Sequence, residues 1–274
     1  HDNGSENISN ELIFEAMEQL NADFSAGNDD LNDVIDDFEG IIGDASIEFR
    51  LAQYDPDGNC TNGITRTVSE LTYSGGNDLK DASEGGVDGW PNDSYLNIWV
   101  SRLAVPDNGG GGTVLGYATF PSMSELNPDD DGLVVRSDNI GEGFRVITHE
   151  AGHWLNLKHT WGNVEVETTC LADDDVDDTP NTQGNYGGCD VTAISCGSLD
   201  NVQNFMDYAI PCYRMFTEGQ ADRMDDALNS STADRNQLWT TSNLIATGVI
   251  EDPILCSADF EADRVRICSG MEVE

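Results

Sequence analysis

Basic residues are scarce in this chain: 12 Lys and Arg stand against 52 Asp and Glu, a formal net charge of −40 over 274 residues. The deficit argues against nucleic acid and anionic membrane as partners, since both are polyanions that bind clustered cations. No run of about 18 apolar residues occurs, so no membrane span is expected. No secretory leader opens the chain, which starts abruptly at His1 as if a segment upstream had been removed or left out. There is no Cys-x-x-Cys pair among the 7 cysteines, which argues against a cytosolic zinc cluster. Histidine is also rare, at 4 residues, and three of the four crowd into positions 149 to 159.

That stretch reads His-Glu-Ala-Gly-His-Trp-Leu-Asn-Leu-Lys-His. On a helix, His149 and His153 project from one face with Cβ atoms about 5 to 6 Å apart, close enough to share one zinc ion. Glu150 lies beside the first ligand, placed to take a proton from a metal-bound water rather than to bind the metal. His159 stands six residues beyond His153, where a continuing helix would turn it away, so the helix must stop and the chain bend back. Asn156 is the candidate for that bend, because Asn follows Gly as the residue that accepts a left-handed conformation just past a helix end. A lone histidine on such a helix reads as an ordinary core or surface residue. Three at this spacing, with the glutamate in place, read as a zinc site.

The chain is long enough for one sizeable domain or two small ones, and 38% hydrophobic residues with 5 Trp can supply a core. Its acidity suits a secreted protein and loops that bind calcium. Six of the cysteines fall between Cys170 and Cys268 in a segment rich in Asp, Gly and Asn, which predicts disulfides and an oxidising compartment. The odd count leaves at least one cysteine without a partner inside the sequence.

Periodicity predicts a helix from Ser9 to Phe24 with an apolar stripe at Leu12, Ala16, Leu20 and Phe24. Strands are expected over Ser46–Gln53, Tyr95–Leu103, Thr113–Phe120 and Gly132–Arg136, and Gly109 to Gly112 reads as a loose loop. The motif helix spans roughly Gly143 to Leu155. Beyond His159 the pattern turns to loops until Thr217, where Thr217 and Gln220 form a capping box before a helix bearing Ala221, Met224 and Leu228.

The motif with Trp154, His159-Thr160-Trp161, Asp178-Thr179-Pro180 and Asn204-Phe205-Met206-Asp207-Tyr208 resembles the pappalysin family of metzincin metallopeptidases. Upstream, Asp55 to Asn59, Leu96 to Val100 and Gly116-Tyr117-Ala118 are similar to the same family's catalytic domain, so the resemblance covers about residues 1 to 245. It implies a secreted zinc endopeptidase of α+β class, with a twisted mixed sheet, backing and active-site helices above the cleft, and an irregular disulfide-stapled lower subdomain with a C-terminal helix. The catalytic domain would cover 1–250, upper subdomain about 1–156 and lower about 157–250.

Carried over residue by residue, His149, His153 and His159 would hold Zn2+ and Glu150 would act as general base, then acid. Met206 would form the turn beneath the metal; on sequence alone it reads as core. Tyr208 would stabilise the oxyanion, a contribution worth roughly 100- to 1000-fold in rate for a single donor; taken alone it reads as a buried structural tyrosine. The resemblance implies the pairs Cys170–Cys196 and Cys189–Cys212. It also implies a structural Ca2+ in the acidic loop, with Asp174 and Thr179 as ligands and Asp177 through its carbonyl; without it, a charge run reads as a solvated face.

Two departures stand out. The family's usual Gly at the bend is here Asn156, a change of on the order of 1 kcal/mol or less that zinc geometry should survive. Members that prefer Arg or Lys after the scissile bond carry Asp immediately before the cysteine following the Met-turn, and here that place holds Pro211. The pocket wall Ile210-Pro211 offers no carboxylate, which points to an apolar residue instead.

On this resemblance, the family's first core strand would be expected mostly upstream of His1. At the other end, 251–274 reads as a linker and the truncated start of a β-sandwich module, with a tail packed on the catalytic domain as the alternative. A monomer acting on proteins or peptides is expected. Two rival readings remain: a calcium-dependent adhesion module with a dead metal site, which would need a broken ligand set, and a thermolysin-like hydrolase with Glu165 or Glu167 as third ligand.

Overall fold

The computed structural model describes residues 4–106, 113–141, 143–162, 170–185 and 187–250. The glycine run, Glu165 and Glu167, and the tail from 251 onward lie outside the described residues. Helix α1 (Asn10–Phe24) starts where Ser9 accepts a hydrogen bond from Leu12 N at 3.2 Å, and its stripe turns Ala16, Leu20 and Phe24 into the core. The short helix α2 (Asp36–Glu39) leads to strand β1 (Ile42–Gly43).

Strands β2 (Ile98–Ser101), β3 (Gly116–Ala118) and β4 (Leu133–Arg136) form a sheet of order β2-β4-β3, parallel between β2 and β4 and antiparallel between β3 and β4. The one-turn helix α3 (Pro121–Ser124) follows β3. Helix α4 (Val146–Trp154) carries the histidine motif and packs against β3, β4 and α1. Strand β5 (Phe216–Thr217) pairs antiparallel with β1, then α5 (Glu218–Leu228) and α6 (Thr241–Ala246) follow. The fold is α+β, as the sequence predicts, with smaller sheets than the apolar segments suggest.

The main core cluster joins Leu20 and Phe24 of α1, Leu133 and Val135 of β4, Trp154 and Leu155 at the end of α4, and Phe205 and Met206 from the loop-rich region, with three smaller clusters beside it. It ties the motif helix above to the segment below. No described helix is long and apolar enough to cross a membrane.

The expected strand over Ser46–Gln53 makes no ladder, and it opens at Ser46 with a left-handed φ of 51°. Its alternation holds in burial, with Ile47, Phe49 and Leu51 turned inward and Ser46, Glu48 and Arg50 exposed. The Asn21 side chain takes the place of a neighbouring strand, donating to Phe49 O at 3.0 Å and accepting from Phe49 N at 2.7 Å. Between this segment and β2, which is an edge of its sheet, lies a cavity of about 800 Å³ lined by apolar side chains such as Leu20, Phe49, Ile98 and Val100. A ladder needs a partner strand about 5 Å away, and none of the described strands stands there.

Candidate metal centre

Helix α4 places His149, Glu150 and His153 by its period alone, then ends sharply. Asn156 adopts φ 72°, with Asn156 N bonded to His153 O at 2.9 Å and Leu157 N to Gly152 O at 2.9 Å. This pair of bonds is the Schellman closure with Asn at the left-handed position. The reversal returns the chain so that His159 meets the two helical histidines.

The three Nε2 atoms converge. His153 Nε2 lies 3.1 Å from His149 Nε2 and 3.1 Å from His159 Nε2, and all three ligand atoms fall within 4.8 Å of one another. Each helical imidazole is oriented from behind, His149 Nδ1 donating to Phe205 O at 2.7 Å and His153 Nδ1 to Leu157 O at 2.8 Å. That leaves both Nε2 lone pairs aimed at the common point, the tautomer a metal ligand requires. Burial holds the imidazoles neutral: His149 is pushed down to about 4, His153 to about 3, and His159 well below its usual value. Trp161 stacks on His159 with centroids 4.6 Å apart and planes 7° apart. These donors fit a zinc ion, which takes three neutral nitrogens and keeps a fourth position for water or substrate.

Glu150 is buried beside the histidines, and burial by itself pushes its carboxyl up to about 8; a nearby cation would pull it back down. It sits against β3 at a residue without a side chain, since a Cβ on Gly116 would stand 3.0 Å from Glu150 Oε1. Met206 is fully buried beneath α4 at another bare position, where a Cβ on Gly152 would come within 2.6 Å of its sulfur. The Tyr208 ring lies 4.7 Å from that of His159 and 5.5 Å from that of His149, centroid to centroid.

The Met206 segment is held by α5. Thr217 and Gln220 make the predicted capping box. Gln220 also exchanges two side-chain hydrogen bonds with Asn204, whose Oδ1 accepts Met206 N at 2.8 Å. Disulfides join Cys170 to Cys196 and Cys189 to Cys212, and Cys60 is disulfide-bonded too. Ile210 is half exposed and Pro211 exposed beside buried Cys212.

In the acidic loop, Asp174 is buried, its Oδ2 has no hydrogen-bond partner, and desolvation raises its carboxyl to about 8. Asp178 Oδ1 is likewise buried without a partner. The Thr179 hydroxyl lies 3.3 Å from that of Thr217, and the Asp177 side chain is exposed. Spacing does not mark Asp178 as a ligand, and no local pattern distinguishes its buried oxygen from the solvated carboxylates around it. The motifs contain Gly116 and Gly152 without revealing what each abuts. Gly152 did carry a signal, because a glycine inside a short helix costs about 1 kcal/mol and implies a close neighbour.

The profile of the peptidase M43 family, described as pregnancy-associated plasma protein-A, matches residues 81–229, more than half of the chain. The chain belongs to this pappalysin family of metzincin metallopeptidases. Mature mirolysin of Tannerella forsythia, solved with a cleaved peptide, is similar over 90% of this chain and 93% of its own, at 32% identity and a TM-score of 0.74. Among extracellular metalloproteases, number 1 of Coccidioides posadasii is 32% identical over 177 residues, 58% of this chain and 58% of that one. One from Verticillium alfalfae is 37% identical over 127 residues, 41% of this chain and 45% of that one. The chain thus spans about half the length of these curated relatives.

Proposed function

We propose that residues 1–250 form the catalytic domain of a secreted zinc endopeptidase, with its cleft between an upper part, about 1–156, and a lower part, about 157–250. The observation that carries it is the convergence of three neutral Nε2 atoms beside one buried carboxyl. His149, His153 and His159 would hold the zinc, which supplies Lewis acidity to a scissile carbonyl and acidifies water.

The chain's own residues do the rest. Glu150, set between α4 and β3, accepts a proton from the attacking water and returns it to the leaving amine. Strand β3 is an edge of its sheet, so an extended peptide can add to it by main-chain hydrogen bonds and lie across the site. Tyr208 donates to the developing oxyanion, and Met206 supports the histidines from below. Pro211 and Ile210 wall the pocket for the residue after the scissile bond with apolar surface, favouring an apolar side chain there. The buried, unpartnered oxygens of Asp174 and Asp178 support a structural calcium in the acidic loop, completed by Thr179 and the Asp177 carbonyl. Secretion is supported by the disulfides and by the relatives named extracellular. A monomer suffices, because every residue of the site comes from one chain.

The decisive experiment compares Glu150→Ala with the parent on protein and mixed-peptide substrates, with and without a zinc chelator. Cleavage should be lost by about 1000-fold or more in the variant and abolished by chelation; equal cleavage by variant and parent sinks the mechanism. His159→Ala tests the ligand set, because strong zinc retention without this residue rules it out as third ligand.

A further inference from the structure

Resting on the reading of a zinc site, we propose that Arg223 is a positioning residue of the metal centre, one that clamps the bend delivering His159 to the acidic loop. Its guanidinium, half-buried on α5, donates from Nε to Asn156 O at 2.7 Å. From Nη1 it reaches Asp174 O at 3.3 Å and Asp175 O at 3.5 Å. One side chain therefore grips three main-chain oxygens from two loops that are far apart in sequence.

Both loops need such a grip. Asn156 and Asp175 have φ of 72° and 61°, left-handed conformations that cost a non-glycine residue on the order of 1 kcal/mol each. Each turn closes on itself, through the Schellman bonds at Asn156 and through Asp173 and Asp174 side chains bonded to Asp175 N and Val176 N, but those local bonds do not fix one loop against the other. The carbonyl of Asn156 stands three residues before His159, and the next carbonyl, that of Leu157, orients the His153 imidazole. A displacement at Asn156 therefore moves one ligand and releases the hydrogen bond behind another. Lys158, between the bend and His159, also pairs with the Asp175 carboxylate. The two loops thus meet at a second point, but an exposed ion pair in salt adds little.

Helix α5 is a fixed support for the clamp. Its first turn is bonded to the Met206 segment through Gln220 and Asn204, and Gly219 N donates to Asp178 Oδ2 at 2.9 Å. From this one helix the bend, the acidic loop and the Met206 segment are held in fixed relation. Arg223 supplies the bond that reaches the zinc ligands. A lysine could replace its charge but not its fork, since one ammonium on a single stem cannot span three oxygens in two loops.

The test uses the parent, Arg223→Ala and Arg223→Lys. Zinc affinity is measured by competition with a chromophoric chelator, ligand geometry by the visible spectrum after cobalt substitution, and stability by the Tm of the metal-free proteins. Arg223→Ala should weaken zinc roughly tenfold or more and alter the cobalt spectrum, with Arg223→Lys between it and the parent. Unchanged affinity and spectrum in Arg223→Ala, or an affinity loss that simply follows the fall in Tm across both variants, overturns the proposal. Should Arg223→Ala fail to fold, Arg223→Lys carries the same comparison. A parent that binds no zinc would refute the zinc reading itself, whereas a zinc-binding parent with indifferent variants refutes only the role of Arg223.

Discussion

The region up to the end of α4 and the loop region from Leu157 to Thr217 are held together by different physics. In the first, apolar side chains from α1, β4 and α4 fill one core. One of its buried charges, Asp131, is paired from outside it: Arg235, wholly buried and beyond α5 in the chain, bonds both oxygens of Asp131 at 2.6 and 2.8 Å and lies 3.8 Å from the Trp154 ring. In the second, which lends Phe205, Met206 and Phe216 to that core, the only strand among the described residues is the two-residue β5, and further order comes from two disulfides and from side chains bonded to main chain, as at Asn204, Asp207 and Gln220. Burial is cooperative and tolerant of detail. A lattice of single polar bonds is neither, so the loop region can place a ligand finely but depends on every staple.

The contrast breaks most visibly at Arg235. Arg235→Ala strands Asp131 as an unpaired buried charge beside the last turn of α4 and should cost about 3–5 kcal/mol by denaturant unfolding. A loss below about 1 kcal/mol would mean that hydrophobic packing alone secures that helix end. In the loop region the matching change is the double substitution Cys170→Ser with Cys196→Ser, which reopens a sequence separation of 26 and should cost about 3 kcal/mol. Hydrogen exchange should then rise first across 170–212 while amides of α1 and β4 stay protected. Uniform exchange across both regions would show that they unfold as one.

Asp23 supplies a smaller test with a definite sign. Burial raises its carboxyl to about 6, against the downward pull of Arg145 and of hydrogen bonds from Thr148 and Gln19. With the folded value above the unfolded one near 4, the stabilisation from proton uptake is fully present below about pH 4 and lost as pH rises through about 6. Melting curves of Asp23→Asn and the parent should therefore diverge across that window by roughly 2–3 kcal/mol, and parallel curves would refute the assignment. The smallest effect belongs to the bend: Asn156→Gly should change stability by less than about 1 kcal/mol and leave zinc binding intact. A large effect would show that the Asn156 side chain does more than tolerate its conformation.

Local pattern revealed what repeats or is rare. The stripe of α1, the capping box of α5 and the spacing of His149, Glu150 and His153 are written in intervals of three and four, and a helix has one way to fold them. The Ser46–Gln53 segment shows the limit. Its alternation gave the buried face correctly, but a ladder also depends on the neighbouring backbone, which no interval within the segment encodes. What Gly116 abuts, the orphaned oxygen of Asp178 and the reach of Arg223 to Asn156 were illegible for the same reason.

The sequence by itself determined the chemistry of this protein: which side chains can bind a metal, which carboxyl stands beside them, and where the helix must stop. Only the tertiary structure decided that the third histidine arrives, that the imidazoles are turned and kept neutral by carbonyls and burial, and that α5 holds the loops around them. Residue type and helical spacing are local properties, whereas orientation, desolvation and contact between distant segments exist only once the chain has closed on itself.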